Sequence, residues 1–388
     1  MQSRPELRRG FMALPKVLFI TRKHPPRIGG MERQSAALVR LYRGPKEVVA
    51  LSRSQRHLAW FLPYAFVLGV QARAKGFELI HIGDSLLAPL GALLMRINRV
   101  PVVVTAHGLD VTARIPFYQR VIPAALRSLD CVICVSDTTR DLVVARNVRP
   151  ERCVVIPNGA EAPAGSKSVS GFELGSVRES TNFRLSSGSN RVRNHPMLLT
   201  LGRLVERKGH HWFVSKVLPA LDSAQYVIIG SGPMQAEIIR RAQEVGVGHR
   251  VLILGQLPDE ELVHWFKAAD VFVAPNLEIE DDPEGFGLSV VEAGLAGLPV
   301  VATAVRGLSF VINDGQNGIL CPPGDERAMV QAIEDLLHDS AARLALSKSA
   351  KKYNEIHFSW PEAVGRYEQL FCALAAGGSL RPTNGTAR

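Results

Sequence analysis

The chain lacks the features of disulfide-stabilised, secreted and membrane-spanning proteins. Its five cysteines in 388 residues are too few and too scattered for a disulfide framework, so we expect a reducing, cytoplasmic environment. No apolar run approaches the ~20 residues that a transmembrane helix requires. The apolar stretch near the N-terminus is interrupted by Pro15 and Lys16, which argues against a secretory leader. The hydrophobic content of 46% is that of a globular protein, and the length favours two domains.

Positive charge is concentrated in the first half of the chain. Residues 1–160 contain 24 Lys and Arg against 10 Asp and Glu, whereas the remainder contains 22 against 26. This asymmetry indicates that the first half faces something anionic, such as nucleic acid, an anionic membrane surface or a phosphorylated acceptor. The same half lacks the closely spaced aromatic residues of a single-strand binding platform. We therefore expect no nucleic-acid partner, while the other two remain open.

Cys131 and Cys134 have the C-x-x-C spacing of redox and metal sites. A metal site needs a second ligand pair, and none follows in the sequence. A redox pair opens a helix, whereas residues 130–136 form an apolar, β-branched run typical of a buried strand. Residues three apart on a strand point to opposite faces. We interpret both cysteines as packing residues.

Short apolar strands alternate with helical stretches, which predicts parallel sheets covered on both faces. A segment at 160–195, rich in Ser, Gly, Asn and Arg and without periodicity, predicts a flexible linker or insertion. Two α/β units joined by a linker place a ligand cleft between them, with binding loops at the carboxyl ends of the strands. The predicted strands are 16–21, 78–82, 101–106, 131–136 and 153–157 in the first half, and 197–202, 226–230, 251–254, 271–274 and 300–303 in the second.

The segment Glu284–Glu292 (EGFGLSVVE) places two glutamates on either side of a glycine turn that opens a predicted helix, Leu288–Leu295. The glycines allow a tight turn or a close approach to a ligand, and a helix start favours a phosphate. Glu292 could accept hydrogen bonds from ribose hydroxyls, and Glu284 could reach whatever the phosphate carries. A sugar nucleotide has these three parts in this order. Taken alone, the segment fits a simple helix cap equally well.

Four further segments end predicted strands. Arg203 and Lys208 follow the first strand of the second half, where two cations could neutralise a diphosphate and stabilise it as a leaving group. Each segment is a weak signal alone, but all of them in this order are specific. The other three are Thr105–Asp110 (TAHGLD), Val155–Gly159 (VIPNG) and Ile229–Pro233 (IGSGP).

Together these segments resemble the nucleotide-sugar glycosyltransferases of the GT-B fold, and within them glycosyltransferase family 4. The resemblance covers residues 16–371. It implies an α/β protein of two facing Rossmann-like domains with parallel sheets and a donor site in the cleft between them. The expected organisation is an N-terminal acceptor-side domain at 15–160, a linker or insertion at 161–196 that is longer than usual for the family, a C-terminal nucleotide-sugar-binding domain at 197–357, and a helix at 358–375 that crosses back to the first domain.

The resemblance implies a role for each matching residue. Gly29 and Gly30 match the loop that approaches the donor phosphate and sugar. His107 matches the histidine beside the reacting carbon, and Glu284 the glutamate at the donor sugar, so these two are the implied catalytic residues. The implied donor ligands of the second half are the diphosphate clamp Arg203 and Lys208, Gln256 and Leu257 beside the base, the phosphate-facing Gly287, Leu288 and Ser289, and the ribose ligand Glu292.

The implied reaction moves a hexose, such as mannose or glucose, from a nucleoside-diphosphate sugar to a glycan, lipid or lipid-linked acceptor with retention. No residue is an unambiguous nucleophile, so front-face departure and a covalent role for Glu284 both stay open. The resemblance implies no metal or other cofactor, and we interpret the acidic run Glu280–Asp282 as a loop. The alternatives are a sugar-nucleotide epimerase or hydrolase of the same fold and an inactive binding subunit.

Residues 58–70 (LAWFLPYAFVLGV) form a strongly apolar segment that is too short to span a membrane and is broken by Pro63. Cations flank it on both sides. It is compatible with a core helix, or with an interfacial anchor held by apolar insertion and anionic headgroups. The second interpretation predicts a peripheral enzyme at the cytoplasmic face of a membrane. The flanking cations are Arg53, Arg56, Arg73 and Lys75.

Overall fold

The computed structural model describes residues 13–25, 29–51, 57–113, 117–163, 195–280 and 282–377. They divide into two compact units. The first takes the described residues up to Pro157 and those from Trp360 onward, and the second takes Asn158–Ser359. Most of the segment predicted as a linker or insertion lies outside the described residues. Within the described ranges, no helix combines the length and the apolar character needed to cross a membrane.

The first unit is built on a six-stranded parallel sheet in the order β2-β1-β3-β4-β5-β6. Five of its strands were predicted. The sequence prediction missed β2, an edge strand whose first residue, Lys46, is exposed and whose apolar run is only three residues long. The strands are β1 Val17–Thr21, β2 Lys46–Ala50, β3 Leu79–Ile82, β4 Val102–Ala106, β5 Cys131–Cys134 and β6 Cys153–Val155.

Helices cover both faces of this sheet. One face packs against α2, α3 and α5, and the other against α1 and α14. Cys131 and Cys134 are fully buried on opposite faces, which confirms their interpretation as packing residues. The helices of this unit are α1 Gly30–Leu41, α2 Leu58–Val70, α3 Ala88–Asn98, α4 Leu109–Thr112, α5 Tyr118–Ser128, α6 Asp137–Val144 and, from the chain's end, α14 Trp360–Ala375, with 3₁₀ turns at Ser85–Leu87 and Pro150–Arg152.

The C-terminal helix α14 is an integral part of the first unit. Tyr367 and Phe371 are fully buried against the sheet. Gln34 donates a hydrogen bond of 3.0 Å from its amide to the Tyr367 hydroxyl. The backbone N–H of Arg43 donates to Glu368 at 3.0 Å, and the Arg43 guanidinium pairs with the same carboxylate. The C-terminal helix therefore supplies part of the hydrophobic core of the first unit.

The second unit contains a six-stranded parallel sheet in the order β12-β11-β10-β7-β8-β9. Its first five strands were predicted, and the short edge strand β12 was missed. The strands are β7 Met197–Leu201, β8 Gln225–Ile229, β9 Val251–Ile253, β10 Val271–Ala274, β11 Val300–Thr303 and β12 Ile319–Cys321. The helices are α7 His210–Trp212, α8 Gln235–Glu244, α9 Asp259–Ala268, α10 Leu288–Leu295, α11 Arg306–Val311, α12 Glu326–His338 and α13 Ser340–Phe358, with the π-helical turn Phe213–Val217 and 3₁₀ turns at Glu206–Lys208, Leu218–Ala220 and Gly248–Arg250.

Each sheet has one point at which the strand order reverses. In the first unit the chain leaves β1 for β2 on one side, while β3 lies on the other side of β1. In the second unit β7 leads outward to β8 and β9, while its other neighbour, β10, leads to β11 and β12. Loops after such neighbouring strands diverge and leave a crevice, the usual ligand position in open α/β sheets. The crevices lie at β1/β3 and at β7/β10.

Candidate active site

The loops that follow β7 and β10 touch each other in the second unit. Gly209 has a φ of 66°, and a Cβ at this position would collide with the carbonyl oxygen of Pro275. The backbone N–H of Leu277 donates a 2.8 Å hydrogen bond to the carbonyl of Arg207. The left-handed conformation and the close approach both require glycine. Gly209 thus joins the two loops that border the crevice.

A buried carboxylate lies where these loops meet. Lys208 Nζ lies 2.7 Å from Glu284 Oε2, and the amide of Asn276 donates to the same oxygen at 2.7 Å. Asn276 is held in turn by Thr303, whose hydroxyl donates to its carbonyl at 2.5 Å. Residues from the loops after β7 and β10 therefore converge on one carboxylate, and Thr303 at the end of β11 supports Asn276 from behind.

The electrostatic balance keeps Glu284 charged. Burial alone would raise its pKa, but Lys208, Arg207 and Asn276 together outweigh this effect, and the pKa lies below its ordinary value of 4.5. Each of these partners stabilises the anionic form, by its charge or by donating a hydrogen bond. Glu284 is therefore an anion at neutral pH that can accept hydrogen bonds but cannot act as a proton donor.

Arg207 is a site residue that the sequence analysis missed. Its guanidinium donates from Nη1 to both oxygens of Asp282, at 2.9 and 2.7 Å, and its Nε lies 3.6 Å from Glu284. Asp282 is thereby part of a structural ion pair, in keeping with its interpretation as loop. Among the described residues, no group of three or more His, Cys, Asp or Glu could hold a metal ion. The sequence feature that could have identified Arg207 is its position directly before Lys208.

The two cations proposed as a clamp differ in their surroundings. The Lys208 side chain passes Gly202, where a Cβ would lie 3.5 Å from its Cε, and ends at Glu284. Arg203 is exposed after the end of β7, and no described residue forms a hydrogen bond or an ion pair with its guanidinium. Arg203 is therefore available to an anion from solution, while Lys208 is already bound to a carboxylate.

The glycine turn before α10 is packed tightly against α11. Gly287 has a φ of 74°, and a Cβ there would lie 2.5 Å from Leu308 Cδ2. A Cβ on Gly307 would collide with the Glu284 carbonyl. The predicted helix Leu288–Leu295 is confirmed. Leu288 and Ser289 open it, half-buried, and Glu292 is buried one turn later. The helix start and both glutamates therefore belong to one rigid corner.

The remaining predicted ligands of the second unit follow β9. Gln256 is exposed, whereas Leu257 is half-buried against the core. The backbone of Gly230 donates 2.7 Å to the carbonyl of Gly255, and a Cβ on Gly230 would collide with the carbonyl of Gly202. The turns after β7, β8 and β9 are thus connected in series along the same edge of the sheet.

In the first unit, Asp110 organises the loops after β3 and β4. It accepts hydrogen bonds from the backbone N–H of His107 at 2.7 Å and of Ser85 at 2.9 Å. The His107 Nε2 lies 3.1 Å from the carbonyl oxygen of Gly83, a contact that requires a proton on Nε2 and leaves Nδ1 as the acceptor in the neutral ring. His107 is therefore held by backbone contacts at the carboxyl end of β4.

An ion pair at the β1/β3 crevice was also missed from the sequence. Arg22 Nε donates to Asp84 Oδ1 at 2.9 Å, and Asp84 also caps the turn that follows it. Burial raises the pKa of Asp84, and Arg22 offsets this only in part. Its Oδ2 atom is buried and has no hydrogen-bond partner within the described part of the chain. The sequence feature that could have predicted this pair is that Arg22 follows β1 and Asp84 follows β3, two neighbouring parallel strands.

Gly29 and Gly30 were predicted in a loop, but in the structure Gly29 directly precedes α1 and Gly30 is its first residue. Lys23 Nζ lies 3.1 Å from Glu32, which is buried in the first turn of this helix. A Cβ on Gly29 would collide with the Glu32 carboxylate. The preceding residue, Ile28, lies outside the described residues. The absence of a side chain at Gly29 thus leaves the space that the Glu32 carboxylate occupies.

We expect Lys208→Ala to destabilise the second unit, because it removes the closest cation from a buried carboxylate. Breaking such a pair costs about 3 kcal/mol, so the thermal midpoint should fall by several degrees. The double variant Lys208→Ala/Glu284→Gln should recover part of this loss, and Arg203→Ala, the matched surface cation, should change the midpoint little. If calorimetry gave equal thermal midpoints for Lys208→Ala and Lys208→Ala/Glu284→Gln, the Glu284 carboxylate would not depend on Lys208 for its stabilisation.

The ion pair also predicts a dependence on pH. Since the pKa of Glu284 is lowered from 4.5, the stability that its charge contributes is present above about pH 4.5 and is lost as the pH falls through the folded value. Glu284→Gln should lower the thermal midpoint at neutral pH, and this difference should shrink below pH ~4.5. A difference that is constant from neutral to acidic pH would contradict the lowered pKa.

The two halves of the chain match two complementary family models. Residues 6–162 match the model described as Glycosyltransferase Family 4, and residues 183–353 match the model described as Glycosyl transferases group 1. The chain is 29% identical over 363 residues to the D-inositol 3-phosphate glycosyltransferase of Corynebacterium diphtheriae, covering 86% of this chain and 79% of the relative.

Solved structures share the fold. HepE of Anabaena, in complex with UDP, superposes with a TM-score of 0.72 at 21% identity and covers 92% of this chain and 100% of its own. The sucrose-phosphate synthase of Thermosynechococcus elongatus gives a TM-score of 0.69 at 22% identity, with coverage of 94% and 100%. With its two Rossmann-like units and both family matches, the chain belongs to the GT-B glycosyltransferases of group 1, family 4.

Proposed function

We propose that this glycosyltransferase transfers a hexose from a nucleoside-diphosphate sugar to a glycan, lipid or lipid-linked acceptor, with retention of the anomeric configuration. The observation that carries the proposal is the set of charges at the β7/β10 crevice. There, an exposed arginine, a lysine bound to a buried carboxylate and a helix start are held by interlocked loops. Binding of a nucleoside-diphosphate sugar requires cations, a carboxylate and backbone N–H donors, and this crevice provides all three.

The diphosphate is the part of the donor that these cations suit. The guanidinium of Arg203 has no hydrogen-bond or ion-pair partner among the described residues, and its planar donors fit phosphate oxygens. Lys208 is anchored on Glu284 and can direct its remaining N–H donors to the second phosphate. The first amides of α10, at Leu288 and Ser289, add donors and a partial positive charge. In this arrangement, side chains and a helix end neutralise the diphosphate, and neither a metal nor another cofactor takes part.

The two glutamates suit the hydroxyl-bearing ends of the donor. Glu292 is buried in α10, one turn beyond the phosphate-facing amides, and we assign it to the ribose hydroxyls. Glu284 lies before the turn and stays anionic, so it can accept hydrogen bonds from sugar hydroxyls. Gln256 and Leu257, after β9, are assigned to the base.

In the first unit we assign His107 to the donor sugar and the Gly29–Gly30 turn to the donor phosphate and sugar. Asp110 fixes the backbone of His107 on one side, and the contact of Nε2 with Gly83 fixes its ring. The Nδ1 atom of the neutral ring then accepts a hydrogen bond from a sugar hydroxyl. A rigidly held acceptor atom of this kind positions the sugar without a change in its own charge.

We infer that the reaction proceeds by front-face departure. The bond between the anomeric carbon and the phosphate oxygen breaks, the acceptor oxygen bonds to the same face, and its proton passes to the departing phosphate. Arg203, Lys208 and the α10 amides stabilise the negative charge that develops on this phosphate. Glu284 is bound to Lys208, Asn276 and Arg207, and these contacts favour a positioning role for it over a nucleophilic one.

Two observations narrow the substrates. HepE was solved in complex with UDP and with UDP-glucose, which favours a uridine diphosphate sugar as donor. Several relatives are named D-inositol 3-phosphate glycosyltransferases, which favours a phosphorylated polyol among the acceptors. The basic character of the first half fits an anionic acceptor of this kind. We place the reaction in the cytoplasm, at a membrane face where the acceptor is a lipid.

Substitutions within the crevice should separate the parts of the donor. Arg203→Ala should weaken nucleoside diphosphate binding roughly tenfold, because it removes a charge-assisted contact. Glu292→Gln should also weaken the nucleotide, whereas Glu284→Gln should lower turnover much more than nucleotide affinity. Lys267→Ala, an exposed cation in the last turn of α9, is the matched control. The outcome could instead be the reverse, with Glu284→Gln weakening nucleotide binding in calorimetric titration and Glu292→Gln lowering turnover alone. The donor would then bind with its nucleotide at Glu284 and its sugar at Glu292, which contradicts the proposed orientation.

A donor and acceptor screen tests the activity itself. A nucleotide sugar that binds should raise the thermal midpoint, and we expect the largest rise with a UDP-sugar among UDP-, GDP- and ADP-sugars. Product should then form with either an inositol phosphate or a lipid acceptor, and NMR should show the anomeric configuration of the donor. Turnover of the donor without any acceptor would instead identify a hydrolase or an epimerase.

A further inference from the structure

Helix α2 carries a stripe of exposed apolar side chains. Trp60, Tyr64 and Val67 are 81%, 61% and 53% exposed. Residues at spacings of four and three lie on one side of a helix, so the three form one continuous ridge. Large aromatic residues at such exposure are unusual on a surface that faces water alone. The ridge therefore needs an explanation other than the core.

The opposite side of the same helix is fully committed to the fold. Phe61, Ala65 and Gly69 are buried, and Asn98 of α3 donates a 2.7 Å hydrogen bond to the Gly69 carbonyl. A Cβ on Gly69 would lie 2.5 Å from Leu94 Cδ1. The two interpretations of residues 58–70 thus apply to different sides of one helix. Its buried side fixes the orientation in which the ridge is presented.

The neighbouring helix of this layer adds a second apolar pair. Helix α3 packs against α2, and its Leu93 and Ile97 are 45% and 46% exposed at a spacing of four. Two adjacent helices that cover the same face of the sheet therefore each leave an apolar stripe outside the core. We call the ridge and this pair together the apolar face.

Basic side chains dominate the surface around the apolar face. Arg73 and Lys75 follow α2, and Arg96 and Arg99 lie at the end of α3; all four are exposed. Across residues 57–113 the acidic residues are Glu78, Asp84 and Asp110, of which the last two are buried. The solvent side of this region is thus strongly positive, which complements an anionic surface.

We propose that the apolar face docks on the surface of an anionic lipid bilayer, with the ridge in the interfacial region and the surrounding basic side chains on lipid headgroups. Trp and Tyr have an apolar ring with a polar end, which suits this region of a bilayer. Long basic side chains reach headgroups while their stems stay on apolar surface. At 13 residues, α2 lies on a bilayer and does not cross it. The inference is independent of the proposed chemistry.

Trp60 provides a direct probe in the intact chain. Of the other three tryptophans, Trp265 and Trp360 are buried and Trp212 is half-buried. With vesicles of phosphatidylcholine and anionic phosphatidylglycerol, the emission should shift to the blue and the protein should sediment with the lipid. Both signals should weaken as salt rises, since screening acts over ~10 Å at 0.1 M. Trp60→Phe should keep sedimentation and lose the shift.

Two double variants separate the contributions. Trp60→Ser/Tyr64→Ser should abolish vesicle binding with a nearly unchanged thermal midpoint, and Arg73→Ser/Arg96→Ser should weaken it about thirtyfold, as expected for two basic residues at an anionic surface. The matched control is Leu344→Ser/Ile356→Ser on α13, which removes two exposed apolar residues from a helix of the second unit and should bind vesicles like the wild type.

Three outcomes would overturn the proposal: equal binding to vesicles of phosphatidylcholine alone, unchanged binding by Trp60→Ser/Tyr64→Ser, or a dimer in size-exclusion chromatography that this variant dissolves, which would assign the face to a second copy. Nucleoside diphosphate affinity should be the same in this variant and the wild type. If neither the wild type nor this variant bound a nucleotide-sugar donor, the proposed function would be contradicted, but the membrane-docking proposal would still be tested by the vesicle measurements.

Discussion

The close approach of two loops is the constraint on which the candidate site depends. Because Gly209 lies against the carbonyl of Pro275, the cations after β7 are brought to the carboxylate that precedes α10. Glu284 is buried there at the cost of its hydration, and Lys208, Arg207 and Asn276 offset that cost. The desolvated carboxylate makes the cluster rigid, since any movement of one partner leaves a buried charge uncompensated.

The first unit uses the same physical device for a different purpose. Asp110 and Asp84 are buried carboxylates at the carboxyl ends of its strands, and they hold backbone amides and Arg22 in place. Neither is exposed enough to meet a substrate directly. They position His107 and the loops around the β1/β3 crevice. In the first unit, the residues assigned to the donor are thus supported by buried charges that lie behind them, which is what a preorganised polar site requires.

Much of the fold was predictable because its strands are short apolar runs with β-branched residues. The strands missed, β2 and β12, lie at sheet edges: β2 begins with the polar residues Lys46 and Glu47, and β12 is only three residues long. The helix α10 was predicted with its observed ends, and the helix predicted at 358–375 is observed as α14, Trp360–Ala375. The pairings within the site were not predictable. Arg207 with Asp282 and Arg22 with Asp84 join residues 75 and 62 positions apart, and no local pattern encodes such contacts. The roles of the predicted donor ligands stay predictions.

The segment 58–70 shows why composition alone could not decide between core and surface. Its residues are almost uniformly apolar, so neither a hydrophobic side nor a polar side can be recognised in the sequence, and both interpretations fit equally. What divides the segment is its neighbour: Asn98 and Leu94 of α3 hold Gly69 and leave Trp60 on the other side. Glycine at that contact lets the helices approach closely, and the approach fixes the rotation of α2. Once the rotation is fixed, a side chain as large as Trp60 cannot turn inward without unpacking the helix. The exposed ridge is therefore a consequence of core packing on the opposite side of the same helix.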